Sequence, residues 1–152
     1  LMRQVAGDRI ESSTTEEDTV MTEQYPRASK AEQESRVTTV ANVPQVSLGP
    51  GMETNLACGK DLTLSFVTMA PHAVGKMHSH PHEQMVVVNV GELDVVLDGK
   101  SYALKPGDVL HVPGNLEHSA RAHDTECHIL EIFTPARKDF EEKLAQAKAA
   151  KK

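Results

Sequence analysis

The sequence predicts an all-β domain, an antiparallel sandwich or barrel, preceded by a polar arm and followed by a short helix. Three observations lead there. Between about Val37 and Pro135 short apolar or alternating runs are broken by turn residues, Asp98-Gly99 sits between VVL and KSYAL, and no run in that stretch carries a helical period. Side chains alternate faces along a strand, so short runs closed by Gly, Pro, Asn or Asp are strand signals, and many of them in series make a sandwich or barrel.

Taken in order, residues 1–40 are rich in Ser, Thr, Glu, Gln and Arg and poor in large apolar side chains. They bury too little to offset chain entropy, so a flexible polar arm is expected, either without a role or clipping onto a partner subunit. A barrel is expected over residues 41–134. Its strand candidates are Leu62–Met69, Met85–Val90, Leu93–Leu97, Val109–Val112 and His128–Phe133. Asp98-Gly99 predicts a two-residue hairpin, because both positions tolerate positive φ. Pro106-Gly107-Asp108 and Pro113-Gly114-Asn115 predict further turns. Residues 135–152 read as a C-terminal helix, with Phe140 and Leu144 one turn apart as the packing stripe and lysines toward the end, where the helix dipole favours them.

Composition narrows the function classes. The chain has 152 residues, is 39% hydrophobic and lacks Trp, which suits one modest core. Its formal net charge is −6, and residues 37–135 hold five Lys and Arg against eleven Asp and Glu, so a basic face for nucleic acid is not expected. No apolar run approaches the ~20 residues of a membrane span, and LMRQVAGDRIESSTTEEDTV has no secretory apolar stretch, which predicts a cytoplasmic protein with no membrane partner. Cys58 and Cys127 are too few and too far apart for a disulfide framework, and both are expected reduced and buried.

All eight histidines lie between positions 72 and 128. In a strand, residues i and i+2 share a face, so His78 and His80 can present two imidazole nitrogens to one point. The same parity would bring in His82 and Gln84 and turn Glu83 away. Pro81 interrupts the run, and periodicity alone does not choose between His82 and Gln84. Neutral imidazole is a good ligand for a divalent transition metal (Mn, Fe, Ni, Zn or Cu), and an unpartnered buried one is costly, so His78 and His80 read either as the start of a metal site or as surface-loop or hydrogen-bonded core histidines.

Around that pair, PHAVGKMHSHPHEQMVVVNVGEL resembles the first motif of the cupin superfamily, G-x5-H-x-H-x3,4-E-x6-G, and GDVLHVPGNLEH resembles the second, G-x5-P-x-G-x2-H. The resemblance covers roughly residues 45–134. It implies a jelly-roll barrel, a homodimer, and a metal held by His78, His80, Gln84 and His118. Three positions depart from the pattern: His72 stands for the leading Gly, Asn115 for the second Gly of motif two, and Gln84 for the acidic ligand. An amide brings no charge, so such a site would leave the ion's double charge uncompensated and attract anionic oxygen ligands.

EIFTPARKDF resembles the D-x-F-[ST]-P-x-R ending of single-domain cupins of the pectin-degradation type, which act on unsaturated uronic-acid sugars. That resemblance implies Glu131 as general acid/base, Phe133 as a wall and Arg137 as a carboxylate anchor. His111, near motif two, is the reserve acid/base, although its strand VLHV also suits a plain hydrogen-bonded residue. Arg121, the only Arg between residues 37 and 136, would steer an anion if it points inward and is a surface charge otherwise. His82 reads as a rim or loop residue, His123 as turn chemistry and His128 as a core or hairpin residue.

The expected function is therefore a metal-dependent isomerase or lyase acting on a small sugar-acid-like anion through Lewis-acid and acid/base catalysis. The alternatives are a metal-dependent dioxygenase and a non-catalytic small-molecule-binding cupin. Anaerobic assay separates the enzyme classes, and fold alone separates none of them.

Overall fold

The computed structural model describes residues 25–151. Residues 1–24, most of the expected arm, and Lys152 lie outside the described residues. The chain divides into a unit ending at Val37 and a unit beginning at Thr38. In the first unit, where no element is expected from periodicity, α1 spans Lys30–Arg36. Its cause is local: the Ser29 hydroxyl accepts from Glu32 N–H, and the Glu32 carboxylate accepts from Ser29 N–H at 2.8 Å, a reciprocal capping box.

The second unit opens with a 3-10 turn at Val40–Asn42. Ten strands follow: β1 Val46–Gly49, β2 Met52–Cys58, β3 Thr63–Met69, β4 Val74–His78, β5 Glu83–Val90, β6 Leu93–Leu97, β7 Lys100–Leu104, β8 Val109–Val112, β9 His118–Ala122 and β10 Cys127–Thr134. Helix α2, Lys138–Ala150, closes the chain. A six-stranded sheet has the order β1-β2-β3-β10-β5-β8, and a four-stranded sheet has the order β4-β9-β6-β7. Every pairing is antiparallel. This is the expected jelly-roll of two sheets, and the barrel is not formally closed, because no ladder joins one sheet to the other.

Alternation builds the core between the sheets. Val67 and Met69, Val86 and Val88, and Ile129 and Cys127 point inward from the six-stranded sheet toward Leu93, Val95 and Leu97 of β6. At one end Phe140 and Leu144 of α2 pack on Val46, Leu56 and Phe133, so the predicted helical stripe is the one that is buried. Covering a side chain such as Leu56, 1% exposed, contributes about 1.5–3 kcal/mol. Among the described residues no helix is long and apolar enough to cross a membrane.

The turns carry the positions that depart from family expectation. Asp98 and Gly99 both have positive φ, 48° and 75°, as the hairpin requires. His72 and Asn115, each in place of a motif glycine, adopt φ of 62° and 69° themselves, so the left-handed backbone is kept without glycine. Gly114 is needed for a different reason: a Cβ there would collide with the Pro81 carbonyl oxygen. The adjacent Asn115 N–H donates to His80 O at 2.7 Å. The 113–115 turn is thus clamped onto the loop that carries His80. Cys58 is exposed at the end of β2, against the expectation of burial, while Cys127 is buried, and both are free.

Candidate metal centre

β4 and β9 lie side by side with His78 opposite His118, and the clamped loop turns His80 toward both. One ring nitrogen from each of the three histidines lies within 4.8 Å of the other two, close enough to share a metal ion. Ring centroids are 4.3 Å apart for His78 and His118, and 4.9 Å for His80 and His118. Side chains forty residues apart in motif therefore reach one point at the end of the barrel.

The hydrogen bonds orient all three rings alike. Each Nδ1 faces a backbone carbonyl: Lys76 O at 2.7 Å for His78, His82 O at 3.0 Å for His80, and Leu116 O at 2.8 Å for His118. A carbonyl only accepts, so each Nδ1 carries a proton, and in the neutral form of such a ring the lone pair is on Nε2. His118 is 5% exposed, and its Nε2 is buried with no hydrogen-bond partner. A backbone-anchored Nδ1–H with a bare Nε2 is how metal-binding imidazoles are held.

Gln84 adds a second conflict of the same kind. In this orientation of the amide its Nε2 donates to Glu131 Oε1 at 2.9 Å and its Oε1 stands 3.0 Å from His80 Nε2. Two acceptors then face each other. A cation between them resolves the contact; a proton does so poorly, because burial and the Arg137 charge, with smaller effects from His118 and His78, press the His80 pKa down to about 4 against the raising effect of Gln84. His118 is lowered by burial as well. Nitrogen donors kept neutral, with an amide oxygen beside them, fit a divalent transition metal of the Mn to Zn series.

Glu131 lies on β10, opposite Ser65 of β3. Burial pushes its carboxyl up to about 7, opposed by hydrogen bonds from Ser65 and Gln84 and by the Arg137 charge. Ser65 is itself buried and 2.9 Å from the Thr54 hydroxyl. These inward hydroxyls escaped the motif comparison, although Thr63 and Ser65 at alternate positions of an apolar strand were a visible signal. Phe133 is buried and edge-on to His80, with centroids 5.5 Å apart.

A cavity of about 370 Å³ opens above this floor. His78, Gln84 and Glu131 line its bottom, Leu48, Met52, Phe133 and Phe140 its apolar walls, and Lys76, Arg137 and Lys143 its cationic side. A smaller chamber of about 50 Å³ shares His78, Gln84 and Glu131 and reaches His118. Arg137 stacks on Phe133 and Phe140, with its guanidinium carbon 4.9 and 4.2 Å from the ring centroids. Its fork is engaged: Nε and Nη2 bond Asp139 at 2.9 and 2.7 Å.

Two candidates are elsewhere. His111 sits beside Met85 on the outer face of the six-stranded sheet, while its neighbour Val112 pairs with Gln84 on the inner face. It bonds Glu83 at 2.8 Å and cannot reach the cavity floor. Arg121 is exposed and alternates with buried Ala122, so it points outward and does not steer a ligand from within. His82 stays near the site, its ring 5.5 Å from that of His80. His123 pairs with Asp94 at 3.0 Å, and His128 with Glu126 at 2.6 Å.

Known proteins share both the motifs and the shape. Residues 65–133 match the family model of the cupin domain. The chain is 30% identical over 99 residues to the pectin degradation protein KdgF of Dickeya dadantii, a match covering 64% of this chain and 90% of that protein. The structure of KdgF from Halomonas sp. superposes with a TM-score of 0.60 at 31% identity, over 63% of this chain and 89% of that one. An RmlC-like cupin from Shewanella frigidimarina gives a TM-score of 0.65 at 27% identity, over 69% and 95% of the two chains. At 30% identity to a relative of which it covers 90%, the chain belongs to the cupin family.

Proposed function

We propose that this cupin is a metal-dependent isomerase or lyase acting on a small sugar-acid-like anion, with uronates as the first class to test. The observation that carries the reading is the Gln84 amide, whose two ends join the histidine cluster to a proton-carrying carboxyl. Similarity to two proteins named KdgF, one described as a pectin degradation protein, supports the substrate class.

His78, His80, His118 and Gln84 are the proposed ligands. A divalent ion there would supply Lewis-acid polarisation of a substrate oxygen. Glu131, with a pKa near about 7, stands close to half-protonated at neutral pH and can take up a proton and return it. Phe133 and Phe140 hold Arg137 flat, and its positive charge, with those of Lys76 and Lys143, draws an anion toward the floor. Because Asp139 occupies two nitrogens of the fork, a substrate carboxylate displaces Asp139 or uses the remaining nitrogen. Leu48 and Met52 complete the apolar wall.

The test is turnover of unsaturated uronates and keto acids by metal-loaded protein, with and without oxygen. The expected result is conversion that a chelator abolishes, a divalent metal restores and anaerobiosis leaves unchanged. Oxygen consumption coupled to turnover would replace this reading with the dioxygenase.

A further inference from the structure

Arg137 is restrained from several directions. Its backbone N–H donates to the Thr63 hydroxyl at 2.9 Å, and Thr63 is fully buried, so the start of α2 is pinned to β3. Its guanidinium lies over Phe133 and Phe140. Attraction to a ring face has no hydrogen-bond direction, so these contacts hold the guanidinium in place and leave it free to turn. Asp139 fixes the turn. Its two oxygens accept side-on from Nε and from one N–H of Nη2. Among the described residues, Phe133, Arg137 and Phe140 line the cavity and Asp139 does not, so the carboxylate grips the guanidinium from behind. Nη1 and the second N–H of Nη2 have no hydrogen-bond partner among the described residues. These form the other edge on which a guanidinium receives a planar carboxylate through two parallel bonds.

We propose that Asp139 is a positioning residue for ligand recognition: its side-on grip turns the free end-on edge of Arg137 into the cavity, where that edge takes a ligand carboxylate by both oxygens. This rests on Arg137 as the carboxylate anchor of the proposed function. It makes Asp139 part of the bound state, not a competitor that the ligand displaces. By charge alone, removing a carboxylate beside Arg137 should tighten the binding of an anion. The Asp139 side chain is 49% exposed, however, so water screens its charge, and the guanidinium stands between it and the cavity. Loss of orientation acts directly on both ligand hydrogen bonds and outweighs that repulsion. An ester carries no charge and gains little from the fork, so the discrimination between acid and ester is the property that Asp139 sets.

The test is the dissociation constant of D-glucuronate and of its methyl ester, by ligand-detected NMR on the zinc-loaded full chain, for wild type, Arg137→Ala, Asp139→Ala and Asp139→Asn. The expected result is glucuronate binding weakened about tenfold in Arg137→Ala and Asp139→Ala, and by a smaller factor in Asp139→Asn, which keeps one acceptor oxygen. Ester binding should change by less than about twofold, so the preference for acid over ester falls. Glucuronate binding that is unchanged or tighter in the Asp139 variants while Arg137→Ala weakens it overturns the positioning role and leaves the anchor standing. Equal weakening of both ligands assigns Asp139 a merely structural part in α2 and also overturns it. Wild-type binding that is absent, or that Arg137→Ala leaves intact, overturns the anchor itself and the inference with it. If Asp139→Ala fails to fold, the acid-to-ester ratio in Asp139→Asn decides: a fall supports the role and an unchanged ratio overturns it.

Discussion

The Gln84 side chain donates to Glu131 at 2.9 Å while its oxygen stands 3.0 Å from His80 Nε2. One buried amide thus joins the histidine cluster to the Glu131 carboxyl. Gln84→Ala removes both links. Metal affinity, read by competition with a chelator, is expected to fall by at least on the order of tenfold, and unchanged affinity would remove Gln84 from the ligand set.

Glu131 and His80 impose opposite pH dependences on the metal-free protein. The Glu131 pKa is raised to about 7, so its stabilising contribution is complete below its usual value near 4.5 and is lost as pH rises through about 7. The His80 pKa is depressed to about 4, so its contribution is complete above 6.5 and is lost as pH falls through about 4. In wild type the two trends offset each other. Glu131→Gln keeps only the His80 trend: at pH 8 it should be more stable than wild type by up to about 3 kcal/mol, and the gap should close toward pH 4. Urea unfolding after chelation measures this, and a gap independent of pH would contradict it.

The same substitution has a kinetic signature. If Glu131 is the base of the proposed reaction, kcat/KM on a uronate should rise with pH through about 7. In Glu131→Gln that limb should vanish along with most of the rate. A limb that survives would assign the proton transfer to another group.

Arg137 is held by two rings and by both Asp139 oxygens. Arg137→Lys keeps the charge but loses the planar stacking and the fork. KM for a carboxylate substrate should rise on the order of tenfold with kcat little changed, as expected for loss of a binding contact. A lysine variant with unaltered KM would mean that charge alone suffices.

Gly114 touches the Pro81 carbonyl so closely that no Cβ fits. Gly114→Ala must push the His80 loop away, at about 1–3 kcal/mol of stability, with a parallel loss of metal affinity. Thermal unfolding and metal titration read the two effects, and loss of neither would show that the loop has room to give.

The residues differ in how far the sequence revealed them. Strand parity brings His78 and His80 to one point, although β4 ends at His78 and it is the loop beyond that turns His80 inward, and Asp98-Gly99 forms its turn by backbone preference, so both pairs were legible locally. His118 was legible only through the second motif, because a contact across forty positions leaves no period. Parity could have excluded Arg121: counted from His118, residues 120 and 122 point inward and 121 outward. His111 was harder, because only the pairing of Gln84 with Val112 fixes which side of β8 faces the cavity. The grip of Asp139 on Arg137 arises where the chain enters α2, from side-chain rotamers that no pattern encodes. Helix α1 was missed because its cause is a capping box at Ser29 and Glu32 rather than an apolar stripe.

X-ray absorption at the metal edge tests the centre most directly, on protein loaded with one divalent metal and dialysed, in wild type and in His118→Ala. One ion per chain with about three imidazole neighbours, falling to two with weakened retention in the variant, is the result that three converging Nε2 lone pairs predict. A wild type that retains no metal, or a variant with the same imidazole count and retention, would contradict it.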